Sequence, residues 1–266
     1  MLSLIASPIG NLSDVTYRAV ETLQVCDLIY CEDTRVSRTL LQHYTITKPT
    51  RSLHKFNTQK ELPHILRELQ QGKHLALLTD AGMPAIEDPG LELITACQEA
   101  SLPYEVLPGP SAPIQALVCS GLPPAPFQFL GFLPKQPSLL KKTLIKALGY
   151  SGTTLCFETP HRLHKTLAQL NDLAPNRPLV LCRELTKKFE QIAKGTASDL
   201  LQHTYKGEMV LCFAHTHTDE TWDDVDLATQ VAKLQTHFNL SPGDAIALTA
   251  EIRQLPKKHV YNALHK

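Results

Sequence analysis

The apolar run Leu75, Ala76, Leu77, Leu78 within "HLALLTDAGMPAIEDPG" does not alternate with polar residues. Both faces of such a strand should be covered, as in a parallel sheet flanked by helices. Similar runs recur along the first half with helical patterns between them. "LSLIAS" reads as a first strand, and Ser13 or Asp14 is placed to cap a helix carrying Val15, Ala19, Val20 and Leu23 on one face. "DLIYCED" reads as a second strand and "TRVSRTLLQHY" as a second helix, while "QKELPHILRELQQG" predicts a third, interrupted early by Pro63 and closed by Gly72. Asp88 followed by Pro89 predicts a helix start, an acceptor and then proline at the first position, for a helix ending near Ala100. "YEVLPGPSAPIQALVCSG" supplies a strand, a Pro-Gly-Pro turn and a helix capped by Ser111. Strands separated by helices predict right-handed crossovers and a mostly parallel sheet over residues 1–123.

The Pro-rich "GLPPAPFQFLGFLP" marks a domain boundary near residue 123. Beyond it, strands near 127–132, 153–158, 178–183 and 207–214 alternate with the helical patterns "PSLLKKTLIKALG", "PHRLHKTLAQLN" and "TASDLLQH". A second α/β domain is expected over 124–218. From Asp219 to Lys266 only helical patterns appear, one with Ser241 as cap and Pro242 at its first position, which predicts a helical C-terminal extension.

Composition narrows the partners. The 266 residues are 43% hydrophobic, enough for a large core and near the size at which single cores divide. Lys plus Arg balance Asp plus Glu at 26 each, so no global basic field announces nucleic acid, and any RNA contact must come from local patches such as "KQPSLLKK" and "PKKHVYNALHK". No run approaches the roughly 18 apolar residues of a membrane span, and "MLSLIASPIG" lacks the features of a signal peptide, so a cytoplasmic chain is expected. Seven cysteines without a C-x-x-C pair fit neither a disulfide framework nor usual zinc spacing. Cys156, Cys182 and Cys212 lie in apolar runs and read as small buried hydrophobes. The histidines of "HTH" at 215–217 lack helical ligand spacing, and no metal is expected.

Three turns change the picture further. "SPIGNLSD", the stretch from Thr79 to Pro84, and "LPGPSA" all follow strands at one end of one sheet, where open parallel sheets bind ligands. Together they predict a cleft of backbone amides and small side chains suited to a cofactor held without much charge. "YCEDTRVSR" puts Glu32 and Asp33 at the end of the second strand, with Arg35 and Arg38 behind them. These acids read either as helix caps or as carboxylates near a reacting centre. Glu158, Arg162, Arg183, Glu184, Lys187 and Glu208, in "FETPHR", "CRELTKKFE" and "YKGEMVL", likewise read as structural ion pairs or as parts of a site.

The ordered succession "SPIGNLSDVTYRA", "DLIYCEDTR", "LLTDAGMPAIEDPG", "LPGPSA", "GFLP", "FETPHR", "RELTK" and "KGEMVL" resembles the ribosomal RNA small subunit 2′-O-methyltransferases of the tetrapyrrole methylase superfamily. The final "LSPGDAIALTAEIRQLPKKHVYNAL" resembles that branch's helical extension. The resemblance implies two α/β domains with a cleft between them for S-adenosyl-L-methionine, usually in a homodimer, and transfer of a methyl group to a cytidine ribose 2′-hydroxyl in small-subunit (16S) ribosomal RNA, in an assembled or partly assembled particle. It implies cofactor contacts from Pro8, Gly10, Asp80, Ala81, Gly82 and Met83, with Ile86, Ser111 and Ala112 at the amino acid and ribose portions and Glu158, Gly207, Glu208 and Met209 on the adenosine side. Met83 departs from the small polar residue more usual there. A 2′-hydroxyl needs a general base, for which Glu32 and Asp33 are candidates. Arg35, Arg162, Lys187, Lys257 and Lys258 are candidate RNA contacts. The competing expectations are a corrin or precorrin C-methyltransferase and a non-catalytic ribosome-binding module of the same fold.

Overall fold

The computed structural model describes residues 1–215 and 221–265; the position expected to open the C-terminal extension, Asp219, and His217 lie outside the described residues. The chain divides into two units, Met1–Gln115 with Leu185–Lys188, and Ala116–Glu184 with Phe189–Lys266.

The first unit follows the predicted alternation: β1 (Leu2–Ile5), α1 (Tyr17–Val25), β2 (Leu28–Cys31), α2 (Thr34–His43), β3 (Thr50–Ser52), α3 (Thr58–Gln70), β4 (Leu75–Leu78), α4 (Leu91–Glu99) and β5 (Tyr104–Leu107). The strands form one sheet in the order β3-β2-β4-β1-β5, every pair parallel. Pleating sends Ile5, Ile29, Cys31, Ala76 and Leu78 to one core with Ala19 and Leu23 of α1 and Leu40 and Leu41 of α2. Leu2, Leu4, Tyr30, Leu75 and Leu77 go to the other, with Ile65 and Leu69 of α3 and Leu93 and Cys97 of α4. Both faces are covered, and the non-alternating runs follow from that.

Three local expectations are corrected, and one strand was not anticipated. Thr16, not Ser13 or Asp14, caps α1 by accepting from the Ala19 amide, and the two earlier residues belong to a short 3-10 turn capped by Asn11. Pro63 lies inside α3 without interrupting it. The helix expected to begin at Pro89 begins at Leu91, with Gly90 as its cap, which frees the Asp88 side chain for another role. β3 has no apolar residue and its three residues are exposed, so no periodicity announced it.

α5 (Ala112–Ser120) carries the division between the units, at Gln115 and Ala116, a few residues before the expected boundary. The second unit then contains β6 (Phe127–Phe132), α6 (Pro137–Leu148), β7 (Thr153–Glu158), α7 (Pro160–Leu173), β8 (Leu179–Arg183), β9 (Gln191–Gly195), α8 (Ala197–Leu201), β10 (Met209–Ala214), α9 (Leu227–Thr236), α10 (Pro242–Ile252) and α11 (Lys257–Ala263). Its sheet runs β6-β7-β10-β8-β9, with only β6 and β7 parallel. The C-terminal helices are not a separate appendage. Trp222, Val231, Leu234, Ala245, Leu248 and Val260 share one core with Leu144 and Ile145 of α6 and Leu167 and Leu170 of α7. Lys142 of α6 bonds Asp244 at 2.8 Å. As expected, Ser241 caps α10 with Pro242 behind it. Cys156, Cys182 and Cys212 are buried free thiols. No helix among the described residues is long and apolar enough to cross a membrane.

Candidate active site

In the first sheet, α1 and α4 pack on opposite faces although the strands they follow, β1 and β4, are neighbours. Connections diverging from adjacent strands open a crevice at their carboxyl ends, the usual ligand position in such sheets. The loops there are tied together. Ser7 and Gly82 exchange backbone hydrogen bonds, Ser7 N–H to the Gly82 carbonyl at 3.0 Å and Gly82 N–H to the Ser7 carbonyl at 2.9 Å. The Ser7 hydroxyl donates to the Thr79 carbonyl, and the Thr79 hydroxyl donates to the Gly82 carbonyl at 2.9 Å.

Gly82 has φ +74°, where a β-carbon is strained, and an added Cβ would lie 3.6 Å from Ile9 Cγ2 and 3.8 Å from the Pro110 carbonyl. The turns after β1, β4 and β5 therefore meet around this glycine, so Pro8, Gly10, Asp80, Ala81, Gly82, Met83, Ser111 and Ala112 gather at one sheet edge. Ile86 is exposed on the continuing loop, between Ala85 at φ +65° and Glu87 at φ +68°. Gly10 packs under a returning strand of chain: a Cβ there would collide with the Lys187 side-chain stem and come within 2.9 Å of the Leu185 carbonyl. Lys187 thus stands beside the first turn.

The acids at the end of β2 have different surroundings. Asp33 caps α2, accepts from the Arg35 amide at 2.8 Å, and forms a two-pronged pair with the exposed Arg35 guanidinium. That hydrogen bonding holds its carboxyl down at about 2. Glu32 is raised by burial and by the neighbouring Asp80. Asp80 in turn is raised by burial, though it accepts from the Asp33 amide at 3.0 Å. Asp88, first by burial and then by the charge of Glu32, is pushed up to about 7 and hydrogen-bonds to Glu32. The pair is best described as sharing one proton, held by Asp88 and donated to a Glu32 carboxylate, with Lys55 and His54 offsetting part of the charge. Sequence reasoning assigned Asp88 to a helix cap and missed this pair. The competing Gly90, better suited to the cap position, was the available signal.

In the second unit, Glu158 ends β7 with a fully buried carboxylate that accepts from the Thr159 amide at 3.0 Å and the Thr166 hydroxyl at 2.6 Å. Arg162 lies 3.9 Å from it and donates to the carbonyls of Leu133 and Pro134. "FETPHR" and "GFLP" are thus joined by one guanidinium. This commitment argues against Arg162 as a free RNA contact, because its donors already satisfy buried groups. Gly207, at φ +85°, passes over the Glu184 carboxylate, which accepts from the Glu208 amide at 2.9 Å, and Met209 follows as the buried start of β10. Lys257 and Lys258 are exposed at the first turn of α11.

Residues 1–201 match the family described as Tetrapyrrole (Corrin/Porphyrin) Methylases, and the chain belongs to that family. The resemblance drawn from its motifs and the α/β architecture expected from it agree with this membership. Among named relatives, the "Ribosomal RNA small subunit methyltransferase I" of Bacillus subtilis (strain 168) is 36% identical, covering 100% of this chain and 94% of that protein. The protein of the same name from Synechocystis sp. is 39% identical, covering 98% of this chain and 96% of its own. These matches continue past residue 201 through the C-terminal helices. Solved structures share the fold at lower identity. The methyltransferase CobJ superposes with a TM-score of 0.64 at 17% identity, covering 83% of this chain and 96% of its own. A diphthine synthase gives 0.62 at 14%, covering 80% and 89%.

Proposed function

We propose that this chain is an S-adenosyl-L-methionine-dependent methyltransferase that acts on the ribose 2′-hydroxyl of a cytidine in small-subunit (16S) ribosomal RNA. The family membership and the full-length relatives named for small-subunit ribosomal RNA support the reaction class and the acceptor. The observation that carries the chemistry is the Glu32–Asp88 pair at the carboxyl end of β2.

The edge around Gly82 fits the cofactor. Its walls are turns of glycine, proline, serine and alanine whose backbone groups come close without intervening side chains, and the bridge between Ser7 and Gly82 holds two of these turns at a fixed spacing. Bound there, S-adenosyl-L-methionine would supply an electrophilic methyl group. Pro8, Gly10, Asp80, Ala81, Gly82 and Met83 would hold it, with Ile86, Ser111 and Ala112 completing this wall. Gly207, Glu208 and Met209 stay in the proposal as adenosine contacts, whereas the Glu158 carboxylate is occupied by Thr159 and Thr166 and would act by fixing the strand end.

Methylation of a ribose hydroxyl would require its proton to leave to a base. Glu32 is the better acceptor of the two acids, because burial and Asp80 raise its pKa and make it a stronger base than Asp33, which Arg35 holds at about 2. Asp88 keeps Glu32 oriented through the shared proton. Arg35 and Lys187, beside the same loops, are suited to RNA phosphates. The reading extends to action in the cytoplasm as a homodimer, on an assembled or partly assembled subunit.

The test is tritiated methyl incorporation into small subunits, naked small-subunit RNA and precorrin mixtures, side by side, with Glu32→Gln alongside. Transfer to the RNA-containing samples is expected, reduced about 10²- to 10⁴-fold by Glu32→Gln with cofactor affinity retained. Label only in the tetrapyrrole sample would overturn the acceptor, and bound cofactor with label nowhere would indicate a binding module.

A further inference from the structure

The turn between β3 and α3 is firmly held, yet it carries an aromatic ring into solvent. It stands at the carboxyl end of the first sheet, beside the proposed base. Cys31 pairs with Ser52, the Leu53 amide donates to the Cys31 carbonyl at 2.7 Å, and the Ser52 hydroxyl donates to the Glu32 carbonyl at 3.2 Å. Leu53 is buried and anchors the turn from below. Asn57 braces it by accepting from the His54 amide at 2.8 Å and donating to the Ser52 carbonyl at 3.0 Å. The Thr58 hydroxyl adds a bond to the His54 carbonyl at 2.9 Å. On this frame Phe56 is 97% exposed.

An isolated exposed apolar side chain is common on a protein surface. The setting of Phe56 is what distinguishes it. Its backbone is already ordered, so little freedom is lost when the ring meets a partner. Its ring neighbour is His54, with centroids 6.0 Å apart and planes inclined at 61°. Lys55, next in the chain, is exposed and joins no hydrogen bond or ion pair among the described residues. Burial raises the Glu32 and Asp88 carboxyls, and the Lys55 charge reaches both and offsets part of that rise. At the end of the adjacent strand, the exposed Arg35 guanidinium adds a second cation, against Asp33.

An open ring and an uncommitted cation on one ordered turn are what single-stranded nucleic acid requires, since bases stack on aromatic side chains and phosphates meet Lys or Arg. The 2′-hydroxyl and the 3′-phosphate lie on neighbouring carbons of one ribose. A cation near the group that takes the hydroxyl proton is therefore also near that phosphate. We propose that this turn holds the RNA strand at the methylated nucleotide, Lys55 taking the phosphate next to the attacked ribose and Phe56 stacking on the base of a neighbouring nucleotide. Stacking accepts any base, so the turn positions the strand and leaves the choice of cytidine to other contacts. This rests on the ribosomal RNA reading and on Glu32 as the base, and it adds the residues that position the substrate.

The experiment uses the full chain with purified small subunits and naked small-subunit RNA. Sedimentation of labelled protein would measure binding, and calorimetry would follow S-adenosyl-L-methionine in parallel. Phe56→Ala should weaken binding to both about tenfold without changing the salt dependence. Phe56→Leu should lose as much, and Phe56→Tyr should keep wild-type affinity. Lys55→Gln should lower the slope of log K against log salt by about 0.7. Cofactor affinity should be the same in all variants. A photoreactive benzophenone side chain at position 56 should crosslink to a base of the RNA. Crosslinks to a ribosomal protein instead, wild-type binding by Phe56→Ala, an unchanged salt slope in Lys55→Gln, or a wild-type chain that captures neither subunits nor RNA would overturn the proposal. RNA binding and crosslinking as expected, with no methyl transferred, would count against the enzymatic reading alone.

Discussion

Asp88→Asn tests the shared proton without touching the cofactor. In the folded chain Asp88 is displaced from the ordinary 3.8 to about 7, by burial first and by Glu32 second. A raised folded-state pKa means that the native state binds the extra proton more tightly than the unfolded chain does. The resulting stabilisation is fully present below about pH 4 and is lost as pH rises through about 7. At about 1.4 kcal/mol per factor of ten, the whole displacement would correspond to about 4 kcal/mol, but the side chain is partly open to solvent, which leaves about 1–2 kcal/mol. An asparagine at 88 mimics the protonated acid at every pH and still donates to Glu32. The variant should therefore match wild type near pH 4, gain progressively, and stand about 1–2 kcal/mol more stable above pH 8. Other titrating groups cancel in the difference. Thermal unfolding followed by circular dichroism, with hydrogen exchange reporting on residues 74–107, would measure it. A difference that stays flat from pH 4 to 8.5 would show that Asp88 carries no shared proton, and the assignment of Glu32 as base would lose its support.

Three further outcomes are expected. Gly207→Ala should destabilise the second unit by about 1–3 kcal/mol, through its positive φ and the collision with Glu184, and Glu184→Ala in the same chain should recover the steric part; urea unfolding read by the single buried tryptophan, Trp222, would show the non-additivity. Arg162→Met should cost about 2–4 kcal/mol by leaving the Leu133 carbonyl and the Glu158 carboxylate short of a partner, measured in the same way. Gly10→Ala should push Leu185–Lys188 off the first unit, so limited trypsin digestion should cut faster at Lys187 and Lys188 than in wild type.

The first unit was largely legible because its cues are local. Four-residue apolar runs, polar caps and Gly- or Pro-containing turns state where each buried strand stops, and a parallel sheet puts all those stops on one edge. The turns that gather around Gly82 were found this way. Asp88 was lost because an Asp-Pro pair is itself a helix-start signal, and only packing shows that the acid faces Glu32. β3 and β9 lie at sheet edges with few apolar residues, so their pairing is set by neighbouring strands and leaves little periodic trace. Arg162 and Glu158 look alike in sequence whether they serve a ligand or hold "GFLP" to "FETPHR"; the hydrogen bonds show them doing the second. The antiparallel order of the second sheet was not legible, since helices and returning loops separate its strands much as they do in a parallel sheet.

The four residues Leu185–Lys188 belong to the first unit but are supplied by chain running from β8 to β9 of the second. During translation the first unit is therefore unfinished when Gln115 is made, and its last piece arrives about 70 residues later. At about 5–20 residues per second, that is a wait of roughly 4–15 s. Through that interval the turn at Gly10 lacks the segment that packs over it. A nascent or truncated chain ending before residue 185 can form the sheet without completing this part of the edge, so the proposed activity would come only with chains long enough to have made both units.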